Sequence, residues 1–399
     1  MKHIVVIGAG PGGIAFAQSL GKTLSDSEAD ITLLEKQNFH FHAFGSLRGM
    51  TDKSYIPKLF VPLNNIQGNV KIKCGANVTS VDYDSRTVSY TILTPPTANS
   101  PPHEQMELNH TSVLEESIPY DYLVIATGSS YSSPIKPSET DSNKLQKLLL
   151  QTTENIEKAN SILIIGGGAV GIEMAGELKS FYPNKKIMLM DGNTQLLANQ
   201  NVPRLRVAAK KALENLGVEL FLGHRLSDAS GHMSSHEFET KSVITDHGLT
   251  IKSDARILCI GMRPNVALMK DQECLDGKFI KVKNTIEVDH PDDKYNGVFV
   301  LGDASNHPTP KMGYWAMQQG KHLAKAVAAS LRRGKSFTTF SGPSESGGEP
   351  LLLSLGPEGG LTNLPLFGGI VLGNFFTKRM KSKDLMAGMT WKNLNTKMP

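Results

Sequence analysis

The sequence predicts an α/β protein with two parallel β-sheets, because one strand–turn–helix–strand pattern occurs twice along its 399 residues. The first copy covers residues 3–35, and the second covers residues 161–191. In each copy, a short apolar run leads into a glycine-rich turn, a helical stretch and a second apolar run that ends in an acidic residue. Strands that alternate with helices in this way are typical of parallel sheets with crossover helices.

The first glycine-rich turn, Gly8-Ala9-Gly10-Pro11-Gly12-Gly13, has the spacing of a dinucleotide-binding fingerprint. Gly8 permits the tight turn, Gly10 lets the backbone approach a pyrophosphate, and Gly13 lets helix and strand pack closely. The following helix presents its positive end to the phosphates. Glu35 ends the next strand, where a carboxylate can accept hydrogen bonds from ribose hydroxyls.

The second turn, Gly166-Gly167-Gly168-Ala169-Val170-Gly171, repeats this spacing, and its next strand ends at Asp191. An acid there accepts from the 2′-hydroxyl of NADH and repels the 2′-phosphate of NADPH, so the sequence favours NADH. Asp191 could instead be a strand-end residue that starts a turn with Gly192. Two such units predict two Rossmann-like dinucleotide-binding domains, with NADPH left open as the alternative nucleotide.

The composition is that of an ordinary globular protein of two or three domains. Hydrophobic residues make up 39% and charged residues 20%, and the net charge of +4 is too mild to indicate a nucleic-acid partner. The three cysteines, Cys74, Cys259 and Cys274, form no Cys-x-x-Cys pair. We therefore expect neither a dithiol redox centre nor a metal site.

Three further passages accompany the two fingerprints: residues 121–128 (DYLVIATG), 258–265 (LCIGMRPN) and 298–303 (VFVLGD). Together these passages resemble the two-dinucleotide-binding flavoprotein family, which has the glutathione-reductase-like fold, over residues 3–330. The resemblance implies that the first unit holds FAD, with Asp303 on the ribityl chain, and that the second receives NAD(P)H.

A more specific resemblance is to the ferroptosis-suppressor and apoptosis-inducing-factor-like branch of that family, which is related to the type II NADH:quinone reductases. It rests on residues 41–48, 171–178, 309–312 and 381–385 with 390–392. The branch implies an FAD-dependent NAD(P)H:quinone oxidoreductase. Two alternatives stay open: a redox-signalling flavoprotein of low turnover, and a ferredoxin- or rubredoxin-type reductase.

The resemblance also implies roles for single residues. Glu173 is expected near the nicotinamide, Lys311 and Met312 at the start of a helix beside the flavin, and Lys381 near the quinone or flavin. These three charged residues are the candidate catalytic groups. Arg48 and Lys58 are candidate FAD phosphate contacts, although either could be a solvated charge. The predicted cofactor-binding residues are Gly8, Gly10, Gly12, Gly13, Glu35, Lys36, Arg48, Lys58, Val78, Ala126, Thr127, Gly128, Gly166, Gly168, Gly171, Asp191, Gly261, Gly302, Asp303 and Met312.

The same reasoning divides the chain into four parts. Residues 1–130 and 262–335 are predicted to form the FAD-binding domain and residues 131–261 the NAD(P)H-binding domain. Residues 336–399 form a small C-terminal segment, α+β or helical. A stretch rich in Pro, Ser and Thr, 94–118, is predicted to be a solvated insertion between hairpin strands.

The C-terminal segment has an apolar run at 361–376 that is followed by Lys378, Arg379, Lys381 and Lys383. This pattern favours peripheral membrane contact through residues 361–383, where a lipophilic quinone could enter. A capping segment that packs on the body, or a homodimer interface, is the alternative. We expect a cytoplasmic protein, peripheral on a lipid droplet or the mitochondrial outer surface. We expect no secretion, no transmembrane helix and, because residue 2 is Lys, no N-myristoylation.

Overall fold

The computed structural model describes residues 1–92, 114–198, 200, 202–227, 233–342, 349–367 and 369–399. The strands are β1 Lys2–Ile7, β2 Ala29–Glu35, β3 Phe39–Phe41, β4 Phe60–Pro62, β5 Lys71–Cys74, β6 Ala76–Asp82, β7 Thr87–Ile92, β8 Leu114–Pro119, β9 Tyr122–Ile125, β10 Ser129–Ser130, β11 Ser161–Ile165, β12 Lys186–Asp191, β13 Val218–Leu222, β14 Lys241–Ile244, β15 Thr250–Ser253, β16 Ala255–Leu258, β17 Arg263–Pro264, β18 Leu275–Asp276, β19 Phe279–Ile280, β20 Val298–Val300, β21 Leu351–Ser354, β22 Gly360–Leu364 and β23 Ile370–Leu372. The helices are α1 Pro11–Gly21, α2 Ser46–Gly49, α3 Ser142–Lys158, α4 Ala169–Phe181, α5 Pro203–Asn215, α6 Gly313–Arg333, α7 Asn374–Thr377 and α8 Ala387–Asn393. A π-helical turn, Lys378–Ser382, follows α7 directly.

The chain divides into two compact units. The first unit contains Met1–His40, Pro62–Ser129 and Arg263–Gly342. The second unit contains Phe41–Val61, Ser130–Met262 and Pro343–Pro399.

The first unit is built on a parallel sheet with the strand order β20-β9-β1-β2-β5. Strand β1 is apolar from Ile4 to Ile7 and fully buried at Ile4, Val5 and Val6, as expected where helices or other layers cover both faces. Helix α1 packs on α6, and small residues allow the close approach: a Cβ at Gly320 would overlap the carbonyl oxygen of Gly12. An antiparallel sheet, β6-β7-β8, completes this unit.

The second unit has its own parallel sheet with the order β13-β12-β11-β16. Its C-terminal part is an antiparallel sheet, β21-β22-β23, with α7, the π-helical turn and α8. The predicted α/β class with two Rossmann-like sheets and a small α+β C-terminal segment is therefore confirmed.

The compact units differ from the predicted division at three places. The described residues from 349 onward belong to the second unit instead of forming a separate part. Residues 41–61 lie in the second unit, where the Thr153 hydroxyl donates to the Gly49 carbonyl oxygen (3.2 Å) and Tyr182 donates to the Thr51 carbonyl oxygen (3.0 Å). Residues 336–342 stay with the first unit, where the Phe337 ring packs 4.9 Å from that of Phe299.

Two expectations concern segments of special composition. Most of the proposed insertion, residues 94–113, lies outside the described residues, whereas residues 114–118 belong to strand β8 and pair with β7 instead of forming a loop. Among the described residues, no helix combines the length and the apolarity that crossing a bilayer requires.

Candidate cofactor and catalytic sites

The first glycine-rich turn connects β1 to α1 in a conformation that only glycine adopts without strain. Gly8 has a φ of +102°, and a Cβ there would lie 2.6 Å from the carbonyl oxygen of Ala126. A Cβ at Gly13 would overlap the carbonyl oxygen of Gly8. At Gly10 a Cβ would meet nothing within 4 Å, and no side chain caps the start of α1. The turn thus leaves open space in front of the helix amides, where a pyrophosphate would bind.

Glu35 supports this turn from the end of β2. Its carboxylate accepts from the backbone N–H of Ala9 (2.6 Å) and from that of Gln37 (2.9 Å). Burial raises the pKa of the Glu35 carboxyl, and these two N–H donors oppose the rise. His40 contacts the Ala9 carbonyl oxygen through Nδ1 (2.9 Å), so both polar groups of Ala9 are held.

The second glycine-rich turn has the same geometry in the second unit. Gly166 has a φ of +118°, and a Cβ at Gly171 would overlap the Gly166 carbonyl oxygen. A Cβ at Gly168 would again meet nothing within 4 Å, and no side chain caps α4. The two turns therefore match position by position.

Asp191 repeats the contacts of Glu35 as well. Its carboxylate accepts from the N–H of Gly167 (2.5 Å), the residue after the first glycine, and from the N–H of Asn193 (2.7 Å), two residues further on. Asp191 therefore both starts a turn and lies against the glycine-rich loop. Of the two interpretations that the sequence allows, the turn is observed, and the contact of Asp191 with a ribose 2′-hydroxyl stays a prediction.

The segment 126–128 packs directly behind the first turn. The Ala126 N–H donates to the Ile7 carbonyl oxygen (2.9 Å), and the Thr127 hydroxyl donates to the Asn265 carbonyl oxygen (2.7 Å). The Asn265 side-chain amide donates to the Thr127 carbonyl oxygen (2.9 Å). Gly128 then turns the chain with a φ of +64°. These bonds position the segment through the protein backbone.

Gly302 and Asp303 follow strand β20. Gly302 has a φ of +68°, and its N–H donates to the side-chain oxygen of Gln319 (2.8 Å). The Ser129 hydroxyl donates to a carboxylate oxygen of Asp303 (2.7 Å). The sequence did not point to the buried Gln319, which holds this turn from helix α6.

Lys311 and Met312 lie just before α6 in the first unit. The Lys311 ammonium donates to the His307 carbonyl oxygen (2.6 Å) and lies 5.4 Å from the centre of the Phe279 ring. Burial lowers the pKa of Lys311 to about 8. Met312 is the N-cap residue of α6, and no side chain caps this helix.

Glu173 and Lys381, which the sequence proposed separately, form an ion pair in the second unit. The distance from Lys381 Nζ to Glu173 Oε1 is 2.5 Å, and both side chains are largely buried. The Ser354 N–H donates to the same oxygen (2.8 Å), and Lys381 also donates to the Leu352 carbonyl oxygen (3.1 Å). Lys381 belongs to the π-helical turn, a local geometry that is frequent at functional sites.

One turn further along α4, Glu177 binds Arg48 in a buried, bidentate ion pair. Arg48 Nε and Nη2 donate to the two carboxylate oxygens (3.0 and 2.8 Å), and Nη1 donates to the Lys383 carbonyl oxygen (3.0 Å). Arg48 is thus held by a protein carboxylate, and its predicted contact with an FAD phosphate stays a prediction. The sequence analysis did not identify Glu177 as a site residue. One signal pointed to it: Glu173 and Glu177 are spaced i, i+4, so they share a face of the helix.

Lys58 lies in the second unit beside Tyr55, with Nζ 5.4 Å from the ring centre. Its carbonyl oxygen accepts from the Trp391 indole N–H (2.9 Å). These contacts do not test the predicted FAD phosphate contact, which stays a prediction.

The family model for pyridine nucleotide-disulphide oxidoreductases matches residues 2–320, which is most of the chain. The protein belongs to this family. Membership implies binding of FAD and NAD(P)H, and the chain is a pyridine-nucleotide flavoprotein oxidoreductase. The turns fit both cofactors, since each has an open glycine position, an uncapped helix and a carboxylate at the next strand.

Relatives within this family match the chain over its full length. Apoptosis-inducing factor homolog B of Dictyostelium discoideum is 27% identical over 420 residues, which cover 100% of this chain and 98% of the relative. Ferroptosis suppressor protein 1 of Taeniopygia guttata is 27% identical over 403 residues, which cover 100% of this chain and 97% of the relative. The predicted resemblance to that branch is confirmed.

Among solved structures, the sulfide:quinone oxidoreductase from Aquifex aeolicus matches with a TM-score of 0.71. The identity is 16%, and the match covers 99% of this chain and 92% of the solved one. This similarity supports the fold over nearly the whole length of both proteins.

The family is named for disulphide chemistry, but the cysteines of this member are all free. Cys259 and Cys274 are buried, and burial raises the pKa of both thiols. Burial also raises the pKa of Cys74, which is half-buried in β5. Protonated thiols of this kind are poor nucleophiles.

Four predicted cofactor residues have surroundings that leave their roles as predictions. Lys36 is exposed just after β2, and Val78 lies in β6 beside a bulge. A Cβ at Gly12 would press against the Ala316 carbonyl oxygen (3.2 Å), so this glycine serves helix packing. Gly261 has a φ of +89° with open space around it.

Proposed function

We propose that this protein is an FAD-dependent NADH:quinone oxidoreductase. The observation that carries the proposal is the pair of matching nucleotide-binding turns in a chain whose cysteines are all free. When bound, FAD supplies the redox chemistry by taking a hydride from the nicotinamide and giving up two electrons. Without a thiol pair to receive those electrons, a diffusible acceptor has to take them.

One similar solved structure supports a quinone as this acceptor. The solved sulfide:quinone oxidoreductase, which shares the fold, is named for a quinone. Reduction of a quinone to a quinol takes one hydride equivalent and one proton. The Lys381 ammonium, held against the Glu173 carboxylate, is the group we assign to hold that proton.

Asp191 supports NADH as the preferred nucleotide. Its carboxylate lies against the Gly167 N–H, so an adenosine ribose bound at this loop would bring its 2′-position close to a negative charge. A 2′-phosphate would be repelled there. We expect kcat/KM to be higher with NADH than with NADPH. Asp191→Ala should lower the ratio of kcat/KM for NADH to kcat/KM for NADPH.

The test is anaerobic reduction of the FAD-loaded protein by NADH, followed by addition of a short-chain ubiquinone. Flavin absorbance should fall with NADH and recover with quinone. Lys381→Met should slow the recovery by about a hundredfold to ten-thousandfold, as loss of an acid–base group does. Its matched control is Lys392→Met, which removes an exposed cation from the same segment. Turnover with quinone that is no faster than with oxygen alone would contradict the proposal.

The similarity to an apoptosis-inducing factor homolog favours a second candidate, a redox-signalling flavoprotein of low turnover. The same titration separates the two. Slow flavin recovery with every acceptor, together with an NADH-dependent change of oligomeric state in sedimentation, would favour signalling.

A further inference from the structure

Three side chains that can each bind a metal ion meet in the first unit, outside both nucleotide turns: Asp271, Cys274 and His290. A carboxylate oxygen, the thiol sulfur and a ring nitrogen all lie within 4.8 Å of one another. We call these three residues the Asp-Cys-His cluster. No spacing in the sequence indicated it, because His290 follows Cys274 by 16 residues and no Cys-x-x-Cys pair is present.

A short 3₁₀-helix, Gln272–Cys274, aligns the carboxylate and the thiol. Asp271 is its N-cap residue and accepts from the Glu273 N–H (3.0 Å). Side chains that are three residues apart in a 3₁₀-helix lie one above the other. The Asp271 carboxylate and the Cys274 thiol therefore face the same side.

A ladder of backbone hydrogen bonds brings His290 to the same place. The Lys281 N–H donates to the Cys274 carbonyl oxygen (2.8 Å). The Asp289 N–H in turn donates to the Lys281 carbonyl oxygen (3.0 Å). Because His290 follows Asp289 directly, its ring lies within reach of the Cys274 thiol. The backbone thus holds the three side chains together.

Further contacts orient Asp271 and His290. The Tyr295 hydroxyl donates to Asp271 Oδ2 (2.9 Å). The Asp292 N–H donates to His290 Nδ1 (3.1 Å), and Nε2 lies 3.3 Å from a carboxylate oxygen of Glu273. A histidine that binds a metal ion through one ring nitrogen usually donates the other N–H to a carboxylate. Glu273 is placed to be that carboxylate when an ion takes the position of the Asp292 N–H.

The surroundings of the cluster favour a cation. Residues 271–294 contain seven acidic and four basic residues, although the whole chain has a net charge of +4. Lys294, the last of these basic residues, pairs with Asp292 (3.3 Å), outside the cluster. Cys274 is buried, whereas Asp271 and His290 are half-buried, so the cluster lies between the core and the solvent from which an ion would come.

We infer that the Asp-Cys-His cluster binds a zinc ion. Thiolate, imidazole and carboxylate are the ligands that zinc takes from proteins, and three of them with a water molecule complete a tetrahedral site. Bonds of about 2.0–2.3 Å place such ligands roughly 3.5 Å apart, so the side chains have to approach one another by roughly 1 Å. The ion replaces the thiol proton, which passes to water.

Bound zinc would tie the 3₁₀-helix at Gln272–Cys274 to the loop that follows residue 289. A structural site of this kind stabilises the folded state, because the unfolded chain does not hold the ligands together. The inference goes beyond the proposed function, since it does not depend on which acceptor oxidises the flavin.

The test is the zinc content of the untagged, FAD-loaded protein. The protein is stripped with a chelator, given Zn²⁺ and dialysed against zinc-free buffer. We expect one equivalent of zinc per chain to remain. Cobalt(II), which binds to the same N, O and S ligands, should show the near-ultraviolet absorption band of a thiolate–cobalt bond.

Variants of the cluster separate its ligands from their outer contacts. Tyr295→Phe, which removes only a contact to Asp271, should weaken zinc binding by roughly 10- to 100-fold. Cys274→Ser and His290→Gln each remove a ligand and should weaken it by more than that range. Cys274→Ser should also abolish the thiolate–cobalt band. If Cys274→Ser does not fold, the half-buried His290→Gln carries the comparison.

The matched control is Cys74→Ser, which changes the half-buried cysteine of β5 in the same unit and should leave zinc content and the cobalt band unchanged. Both readouts are independent of quinone turnover, so failure of the quinone proposal is distinguishable from failure of the zinc site. Three outcomes would overturn the inference: zinc that is lost on dialysis, zinc that the wild type and the ligand variants retain equally (an adventitious ion only), or a cobalt complex without the thiolate band.

Discussion

At the scale of single residues, the glycines of each nucleotide turn have different roles. Gly13 and Gly171 have no room for a Cβ, because the carbonyl oxygen of the first glycine occupies that space. A Cβ at Gly10 or Gly168 would meet no protein atom within 4 Å. The first kind of glycine therefore serves the fold, and we expect the second kind to leave room for the ligand.

This difference predicts how alanine substitutions separate folding from cofactor binding. Gly10→Ala should leave the fold intact but lower the FAD content, because the new methyl group meets the cofactor rather than the protein. Gly168→Ala should keep FAD and raise KM for NADH by about tenfold or more. The ratio of flavin to protein absorbance and steady-state kinetics measure the two effects.

Gly373→Ala is the matched control, since a Cβ there also meets open space but belongs to neither turn. It should keep both FAD content and KM. Loss of soluble protein in Gly10→Ala, or normal FAD content, would contradict the assignment of this glycine to the ligand.

At the scale of elements, helix α4 connects the second nucleotide turn to the C-terminal segment. Glu173 and Glu177 point from one face of the helix to Lys381 and Arg48, and Ser354 donates to both carboxylates. Burial raises the pKa of Glu177, and Arg48 opposes the rise. Since a buried carboxylate without a partner is costly, these contacts specify how α4, α2 and the C-terminal strands pack.

Breaking the buried pair should therefore destabilise the protein strongly. We expect Arg48→Met to lower the free energy of unfolding by about 3–5 kcal/mol, because it leaves Glu177 buried and unpaired. The double variant Arg48→Met with Glu177→Leu should recover part of that loss. Urea unfolding of the FAD-loaded protein measures both.

The exposed pair of Lys53 and Glu157 offers the comparison, because its side chains are about two-fifths solvent-accessible. Lys53→Met should cost no more than about 1 kcal/mol. If Arg48→Met with Glu177→Leu lowered the free energy of unfolding by as much as the sum of the two single changes, Arg48 and Glu177 would not be coupled as the structure indicates.

At the scale of the whole molecule, the C-terminal segment is part of the second unit rather than an appendage. Gly176 of α4 has no room for a Cβ because the backbone of Leu355 lies against it. The segment also supplies the partners of Glu173. The second unit thus needs the C-terminal segment to pair the buried Glu173 carboxylate of α4.

A chain that ends at Gly342 should consequently lose the second unit's function but keep the first unit's cofactor. We expect FAD absorbance to remain and NADH oxidation to fall by at least about a hundredfold, with faster proteolysis of residues 130–262. Full-length protein in the same expression host is the reference. A truncated chain that still oxidises NADH at the normal rate would show that the segment is dispensable.

The sequence by itself determined the two nucleotide turns and the α/β class. Their signals are local, because a glycine that needs positive φ, a following helix and a strand-end acid lie within about 30 residues of one another. Glu35 and Asp191 accept matching backbone hydrogen bonds because the two turns share that local geometry.

Only the tertiary structure decided which charged side chains meet. Arg48 and Glu177 are 129 residues apart, and Glu173 and Lys381 are 208 apart, so no local pattern pairs them. A cation in a sequence fits a phosphate, a carboxylate or water equally well. Burial selects among these partners, since a charge removed from water must be matched by whatever group the fold brings to it.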